Sequence, residues 1–199
     1  MSAQVPPEVT GHRVLVVDDD AGLARALAIN LRVHGWEVTT APTGAAALDA
    51  AAGTHPDVVV LDLGLPDISG LDVIAGIADR LVVMYAGAVV EQGPVEELMT
   101  KPQHPYTWAL LQTAPEHNRG KRLRTIEGRP PALDNLPPGC AFAQRCDFAI
   151  DNCIKTRPRL LPLLSAPGHA TACLRVQHEM SSGVQEDTVA ALSGKSLTS

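Results

Sequence analysis

Val14-Leu15-Val16-Val17-Asp18-Asp19-Asp20 is a run of four apolar β-formers that ends on three carboxylates. Such a continuous apolar run predicts a strand buried on both faces of a parallel sheet. The aspartates stop the strand and offer an N-cap to a helix. Leu23, Ala26, Leu27, Asn30, Leu31 and His34 follow at helical spacing, and Gly35 supplies the residue that ends the helix. Trp36 to Thr40 predicts a second strand, and the alanine-rich stretch Thr43 to Ala50 a second helix. Pro56-Asp57 leads into a third buried strand, Val58-Val59-Val60-Leu61, which stops at Asp62. After the loop Leu63 to Gly70, Leu71 to Ile77 starts a third helix. The order β-α-β-α-β-α predicts an α/β fold with a parallel sheet and right-handed crossovers.

Carboxylates at two strand ends form the first candidate site. In a doubly wound sheet of order 2-1-3, strands one and three are neighbours, and ligands bind outside their carboxyl ends. Asp18, Asp19 and Asp62 converge there. Three like charges so close repel one another unless a cation sits among them. An all-oxygen, solvent-open set suits Mg2+. A carboxylate beside bound Mg2+ can attack phosphorus, because phosphoryl transfer mostly needs positioning and charge neutralisation. The plainer alternative is that Asp18 to Asp20 cap the helix and Asp62 opens a turn.

Working outward, the chain has 199 residues, 45% hydrophobic and 19% charged, which admits one large domain or two small ones. Its net charge of −6 argues against a nucleic-acid binder. No apolar run approaches the ~20 residues of a membrane span, so no membrane insertion is expected. The start carries neither a basic nor an apolar leader segment, and a cytoplasmic protein is expected. There, cysteines serve as thiols or metal ligands rather than disulfides. All four cysteines lie after residue 139, and most of the sixteen prolines lie after Gly93. The segment up to Ile77 is acidic, whereas 119–159 is basic and rich in proline.

Val14 to Asp20, Ala41-Pro42-Thr43-Gly44-Ala45-Ala46-Ala47-Leu48 and Pro56 to Asp72 together resemble a response-regulator receiver domain of the CheY-like kind. The resemblance implies a flavodoxin-like fold, Asp62 as phosphoacceptor, and Asp18 and Asp19 as the acidic pair that binds Mg2+ with it. It also implies a sensor histidine kinase as partner in a phosphorelay. The likeness covers residues 12 to about 77, the first three of five βα units. A receiver continues with a strand ending in Thr or Ser and another ending in Lys. Here Lys101, Lys121, Lys155 and Lys195 follow no buried strand.

Asp79-Arg80-Leu81-Val82-Val83-Met84-Tyr85-Ala86-Gly87-Ala88-Val89-Val90-Glu91-Gln92-Gly93 reads as two short strands around a turn at Ala86-Gly87. Pro94 to Met99 and His104 to Pro115 read as short helices. With the proline-rich stretches Ile126 to Pro131 and Leu136 to Phe142, and with Arg145-Cys146, these residues resemble the end of an oligopeptide/dipeptide ABC-transporter ATP-binding subunit. This second likeness covers about 78 to 176. It implies peptide-permease ABC subunits as partners and a peripheral place at the inner face of the membrane. No G-x-x-x-x-G-K-[ST] phosphate loop is present, and the family's signature motif, catalytic Glu and switch His are missing too. No ATP site and no ATP hydrolysis are therefore expected.

The cysteines are spaced Cys140-x5-Cys146-x6-Cys153-x19-Cys173, which is not the C-x2-C pair usual in zinc ribbons. Four thiolates can hold a [4Fe–4S] cluster, and the transporter resemblance favours one. Zn2+ and four reduced thiols packing a small lobe are the alternatives. Arg145, Lys155 and Arg157 are candidates for holding thiolates deprotonated. His104 and Tyr106 are read as a helix cap and a packing contact, and Arg119, Lys121, Arg122 and Arg124 as a solvated linker.

The expected organisation is a partial receiver over 11–77, transporter-like strands and helices over 78–115, a Cys/Pro-rich lobe over 116–176 and a disordered tail over 177–199. In fold terms this is a truncated doubly wound sheet of three strands, followed by a small irregular α+β lobe. Leu81 to Tyr85 is apolar enough to dock beside strand three as a parallel fourth strand. The competing arrangement is an antiparallel hairpin over Leu81 to Val90. Three functional readings stay open: a receiver-like signalling module, a transporter-associated lobe with a vestigial receiver half, and a rearranged reading frame without selected function. The genomic neighbourhood would separate them.

Overall fold

The computed structural model describes residues 11–113 and 126–181. The basic run at Arg119 to Arg124 and the tail over 182–199 lie outside the described residues. The chain divides into two compact units, one ending at Ile77 and the other beginning at Ala78.

The first unit runs β1 (Arg13–Val17), α1 (Ala21–Val33), β2 (Glu37–Ala41), α2 (Gly44–Thr54), β3 (Val58–Leu61) and α3 (Gly70–Ile77). Its sheet has the order β2-β1-β3, with β1 parallel to both neighbours. As the central strand, β1 buries Val14, Leu15, Val16 and Val17 almost completely. Leu15 and Val17 pack with Ala41, Ala47, Ala51 and Val73 on the α2 and α3 side. Val14 and Val16 pack with Ala24, Leu27 and Leu31 on the α1 side. Alanine at the contacts lets the helices approach the sheet closely.

The buried stripe of α1 is Ala24, Leu27, Ala28 and Leu31, while Leu23 is 49% exposed and Ala26 faces solvent. The Asp20 side chain accepts from the backbone N–H groups of Gly22 and Leu23 and so caps the first turn. β3 is not buried on both faces: Val58 is 48% and Val60 40% exposed. The reason is its place at the edge of the sheet.

The second unit holds β4 (Arg80–Tyr85), β5 (Ala88–Pro94), α4 (Val95–Thr100), α5 (Pro105–Gln112), a short 3-10 turn (Ala143–Arg145), α6 (Asp151–Lys155), β6 (Leu161–Pro162), β7 (Ala170–Thr171) and α7 (Leu174–Ser181). Its antiparallel sheet has the order β4-β5-β7-β6. The expected parallel fourth strand from residues 81–85 therefore does not form, and β4 pairs with β5 instead. Ala86 and Gly87 both take positive φ, 49° and 75°, and close a two-residue loop between Tyr85 and Ala88. A loop of that kind folds the next strand back antiparallel, and this local geometry outweighs apolar matching to β3. The helix α7 carries the chain to Ser181, so the first residues of the expected tail are helical. Val83, Tyr85, Val90, Leu98 and Phe142 form the core of this unit.

Candidate functional site

The acidic site is a direct product of the parallel ladder. Where β1 ends, the Asp18 N–H donates to the Ala41 carbonyl at 3.2 Å; where β3 ends, the Asp62 N–H donates to the Val17 carbonyl at 2.9 Å. Both aspartates thus leave the sheet at its carboxyl edge. A carboxylate oxygen from each of Asp18, Asp19 and Asp62 lies within 4.8 Å of the other two. Asp18 is half-buried and accepts from the Asp20 N–H at 2.8 Å, while Asp19 and Asp62 are exposed. Asp20 is occupied as the cap of α1. Such a set can share one hard divalent cation with water completing its shell. The first unit contains no lysine.

The four cysteines come from distant positions into one neighbourhood of the second unit. The Cys140 N–H donates to the Cys153 carbonyl at 2.7 Å, joining two of the bearing segments. Burial pushes the Cys146 thiol up to about 12 and the Cys173 thiol up to about 11, and raises that of Cys140. Negative charge on the neighbouring sulfurs adds to each of these rises. Backbone N–H groups oppose it: Phe142 and Ala143 donate towards Cys140, Phe148 towards Cys146, and Val176 and Arg175 towards Cys173. Among the described residues no three cysteine sulfurs come within the 4.8 Å that encloses the aspartates.

Of the expected cationic helpers, Arg145 is engaged elsewhere. The Arg145 guanidinium donates to the Tyr85 hydroxyl at 3.0 Å and to the carbonyls of Ile126 and Glu127 at 2.9 and 2.8 Å. Neither Arg145, Lys155 nor Arg157 is among the groups that shift Cys140, Cys146 or Cys173. Arg145 braces the aromatic core, with its guanidinium carbon 5.8 Å from the Tyr85 ring centre.

His104 caps α5, its Nδ1 accepting from the Tyr106 N–H at 3.1 Å, and Tyr106 packs on Tyr85 at a ring separation of 4.6 Å. A buried network around Glu91 carries no signal in sequence. Its carboxylate accepts from the Gln103 and His104 N–H groups at 2.6 and 3.1 Å and meets His169 Nε2 at 2.7 Å. No spacing rule pairs residues 91 and 169, and only the placing of β7 against β5 brings them together. Asp67 was equally unmarked, and its carboxylate accepts from the first N–H groups of α2, Gly44 at 2.8 Å and Ala45 at 2.9 Å.

Residues 14–96 match the response regulator receiver domain, and residues 90–153 match the C-terminal region of the oligopeptide/dipeptide transporter family. The two matches together span residues 14–153. A peptide import ATP-binding protein of Brucella ovis is 48% identical over 115 residues, covering 54% of this chain and 33% of the relative. The oligopeptide transport ATP-binding protein OppD of Mycobacterium tuberculosis is 45% identical over 109 residues, covering 54% of this chain and 18% of the relative. The chain thus spans a third or less of these curated relatives. Among solved structures, the chemotaxis response regulator CheY4 of Vibrio cholerae is 32% identical, covering 33% of this chain and 54% of that one with a TM-score of 0.32. Among the described residues, no helix is long and apolar enough to cross a membrane.

Proposed function

We propose that the first unit is a Mg2+-dependent phosphoacceptor module, and that the second unit attaches it to a peptide-permease assembly. The observation that carries the first half is the convergence of Asp18, Asp19 and Asp62 within 4.8 Å at the carboxyl edge of the sheet. Asp18, Asp19 and Asp62 would hold the cation, which would neutralise charge on the phosphoryl group, and a carboxylate oxygen of Asp62 attacks phosphorus as the donor's leaving group departs. A sensor histidine kinase is the donor that the receiver-domain match suggests. With no lysine in the first unit to neutralise the arriving phosphoryl group, labelling is slow and sparse. The second half rests on the transporter match and on relatives that are peptide-transport ATP-binding proteins. Without a phosphate loop, the chain neither binds ATP tightly nor hydrolyses it. Incubation with acetyl phosphate and Mg2+, followed by intact-mass measurement, tests the phosphoacceptor. A single phospho-adduct is expected, lost in Asp62→Asn and with EDTA. An adduct that persists in Asp62→Asn overturns the assignment.

A second reading concerns the cysteines. We infer that Cys140, Cys146, Cys153 and Cys173 hold a [4Fe–4S] cluster rather than Zn2+. The transporter resemblance favours the cluster, in which each thiolate takes a different iron. The backbone N–H donors aimed at Cys140, Cys146 and Cys173 suit thiolate ligands and tune such a centre. Anaerobic purification should yield iron, sulfide and broad visible absorbance. Zinc in place of iron overturns this reading.

A further inference from the structure

His104 lines a cavity of about 40 Å3 in the second unit, together with Phe142, Cys140, Pro137, Pro158 and Arg157. A space of that size takes about three heavy atoms, since one water needs about 10–15 Å3. Most of the lining is apolar. His104 itself is 2% exposed.

The ring holds its proton in a defined place. A backbone N–H can only donate, and that of Tyr106 donates to Nδ1 at 3.1 Å, so Nδ1 carries no hydrogen. The hydrogen of the imidazole therefore sits on Nε2. No acceptor among the described residues takes it. Nor is Nε2 sealed away: the enclosed side-chain atoms without a partner are the Thr107 and Thr171 hydroxyls, not this nitrogen. A donor on a buried ring that is neither bonded nor sealed opens onto the cavity. The Glu91 carboxylate does not line it, and its oxygens are taken by the Gln103 and His104 N–H groups and by His169.

Arg157 supplies the charge. It is the one charged residue of the lining, it is exposed, and its guanidinium makes no hydrogen bond or ion pair among the described residues. We propose that this cavity binds a carboxylate, which accepts from His104 Nε2–H at the buried end and faces the Arg157 guanidinium at the exposed end. Hydrogen bonds to an ionised acceptor are the strong ones, and a planar fork suits a carboxylate. A carboxylate has two oxygens, one for each donor. Phosphate or sulfate would leave further oxygens unpaired against apolar groups, which is costly. The site stands apart from the phosphoacceptor, and metal content at the cysteines is matched across samples because Cys140 also borders the cavity.

Propionate, added to the 15N-labelled full chain at constant ionic strength, tests this through the ring nitrogens of His104. Their signals are assigned by their loss in His104→Asn. The free protein should show Nε2 protonated and Nδ1 bare, and propionate should shift Nε2 saturably with a Kd of about 10 mM or tighter. Propionamide, which lacks the charge, should bind at least tenfold more weakly. Arg157→Gln should weaken propionate by a similar factor with an unchanged far-UV circular dichroism spectrum. Acetyl-trialanine and its C-terminal amide then tell the source of the carboxylate. Binding of the peptide acid but not its amide extends the site to chain termini, and binding of neither peptide confines it to small free acids. The reverse tautomer, no saturable shift up to about 100 mM propionate, an amide that binds as well as its acid, or Arg157→Gln without effect each overturns the proposal.

Discussion

Glu91 and His169 meet at 2.7 Å with side chains 0% and 1% exposed, a charged or charge-capable pair sealed inside a small unit. The pair links β5 to the residue that precedes β7, while the same carboxylate holds the Gln103 and His104 N–H groups ahead of α5. A fully donor-saturated carboxylate is tolerable in the interior; a half-satisfied network is not.

Removing the acceptor therefore strands several donors at once. Glu91→Ala should destabilise the second unit by about 3–5 kcal/mol, the usual cost of breaking a buried pair on one side. The two tryptophans offer unit-specific probes, Trp36 in the first and Trp108 in the second. Urea unfolding followed through Trp108 in a Trp36→Phe background should shift strongly. The transition reported by Trp36 alone should stay in place.

His104 sets a pH dependence of definite sign. Burial lowers its pKa to about 4, partly offset by the negative charge of Glu91, against an ordinary value of 6.5. Between those values the unfolded chain binds a proton that the folded unit does not, so stability falls as pH drops from 6.5 to about 4. The loss reaches about 3 kcal/mol and is complete below the lower value. His104→Asn keeps an N-cap acceptor but has no proton to bind. Its urea midpoint, followed through Trp108, should flatten over that window, whereas an unchanged slope would assign the acid sensitivity elsewhere.

Much of the first unit was legible because its signals are local. Val14 to Val17 and Val58 to Leu61 are apolar runs ended by aspartates, and a βαβ order leaves few topologies to choose among. The convergence of Asp18, Asp19 and Asp62 follows from that topology alone. Which face of α1 is buried is not legible, because alanines and leucines lie on both sides of the stripe. The partner of β4 was misjudged for a different reason. Apolar content favours any neighbouring strand, while the left-handed pair Ala86 and Gly87 selects the following one. The Glu91 to His169 contact was invisible, since it depends on how a loop-rich segment closes back on β5.

Gly139 is a place where the absence of a side chain decides whether the cysteines gather. A Cβ there would run into the Cys153 carbonyl oxygen and lie 2.5 Å from the Ile154 carbonyl carbon and oxygen. All of these are backbone atoms, so nothing can rotate away. Gly139→Ala should push Cys140 from Cys153, break the 2.7 Å hydrogen bond between them and destabilise the unit by ~1–3 kcal/mol. Metal content should fall with it. Gly53→Ala, where a Cβ meets nothing within 4 Å, is the matched control and should keep its metal.

Asp67 ties the loop after β3 to the start of α2, and the tie has its own acid limit. The N–H groups of Ala45 and Gly44 hold its carboxyl below the ordinary value of 3.8. A carboxyl depressed in this way adds stability above its ordinary value, and the contribution is lost as pH falls through the lower folded one. Native-state amide exchange should therefore show Gly44 and Ala45 protected at mildly acidic pH, with protection fading only below 3.8. Asp67→Ala should accelerate exchange at both amides at every pH. Thr43→Ala should act instead on Ala46, whose N–H donates to the Thr43 hydroxyl at 3.2 Å. If Asp67→Ala left the Gly44 and Ala45 amides as slow as before, α2 would owe its first turn to packing, not to this loop.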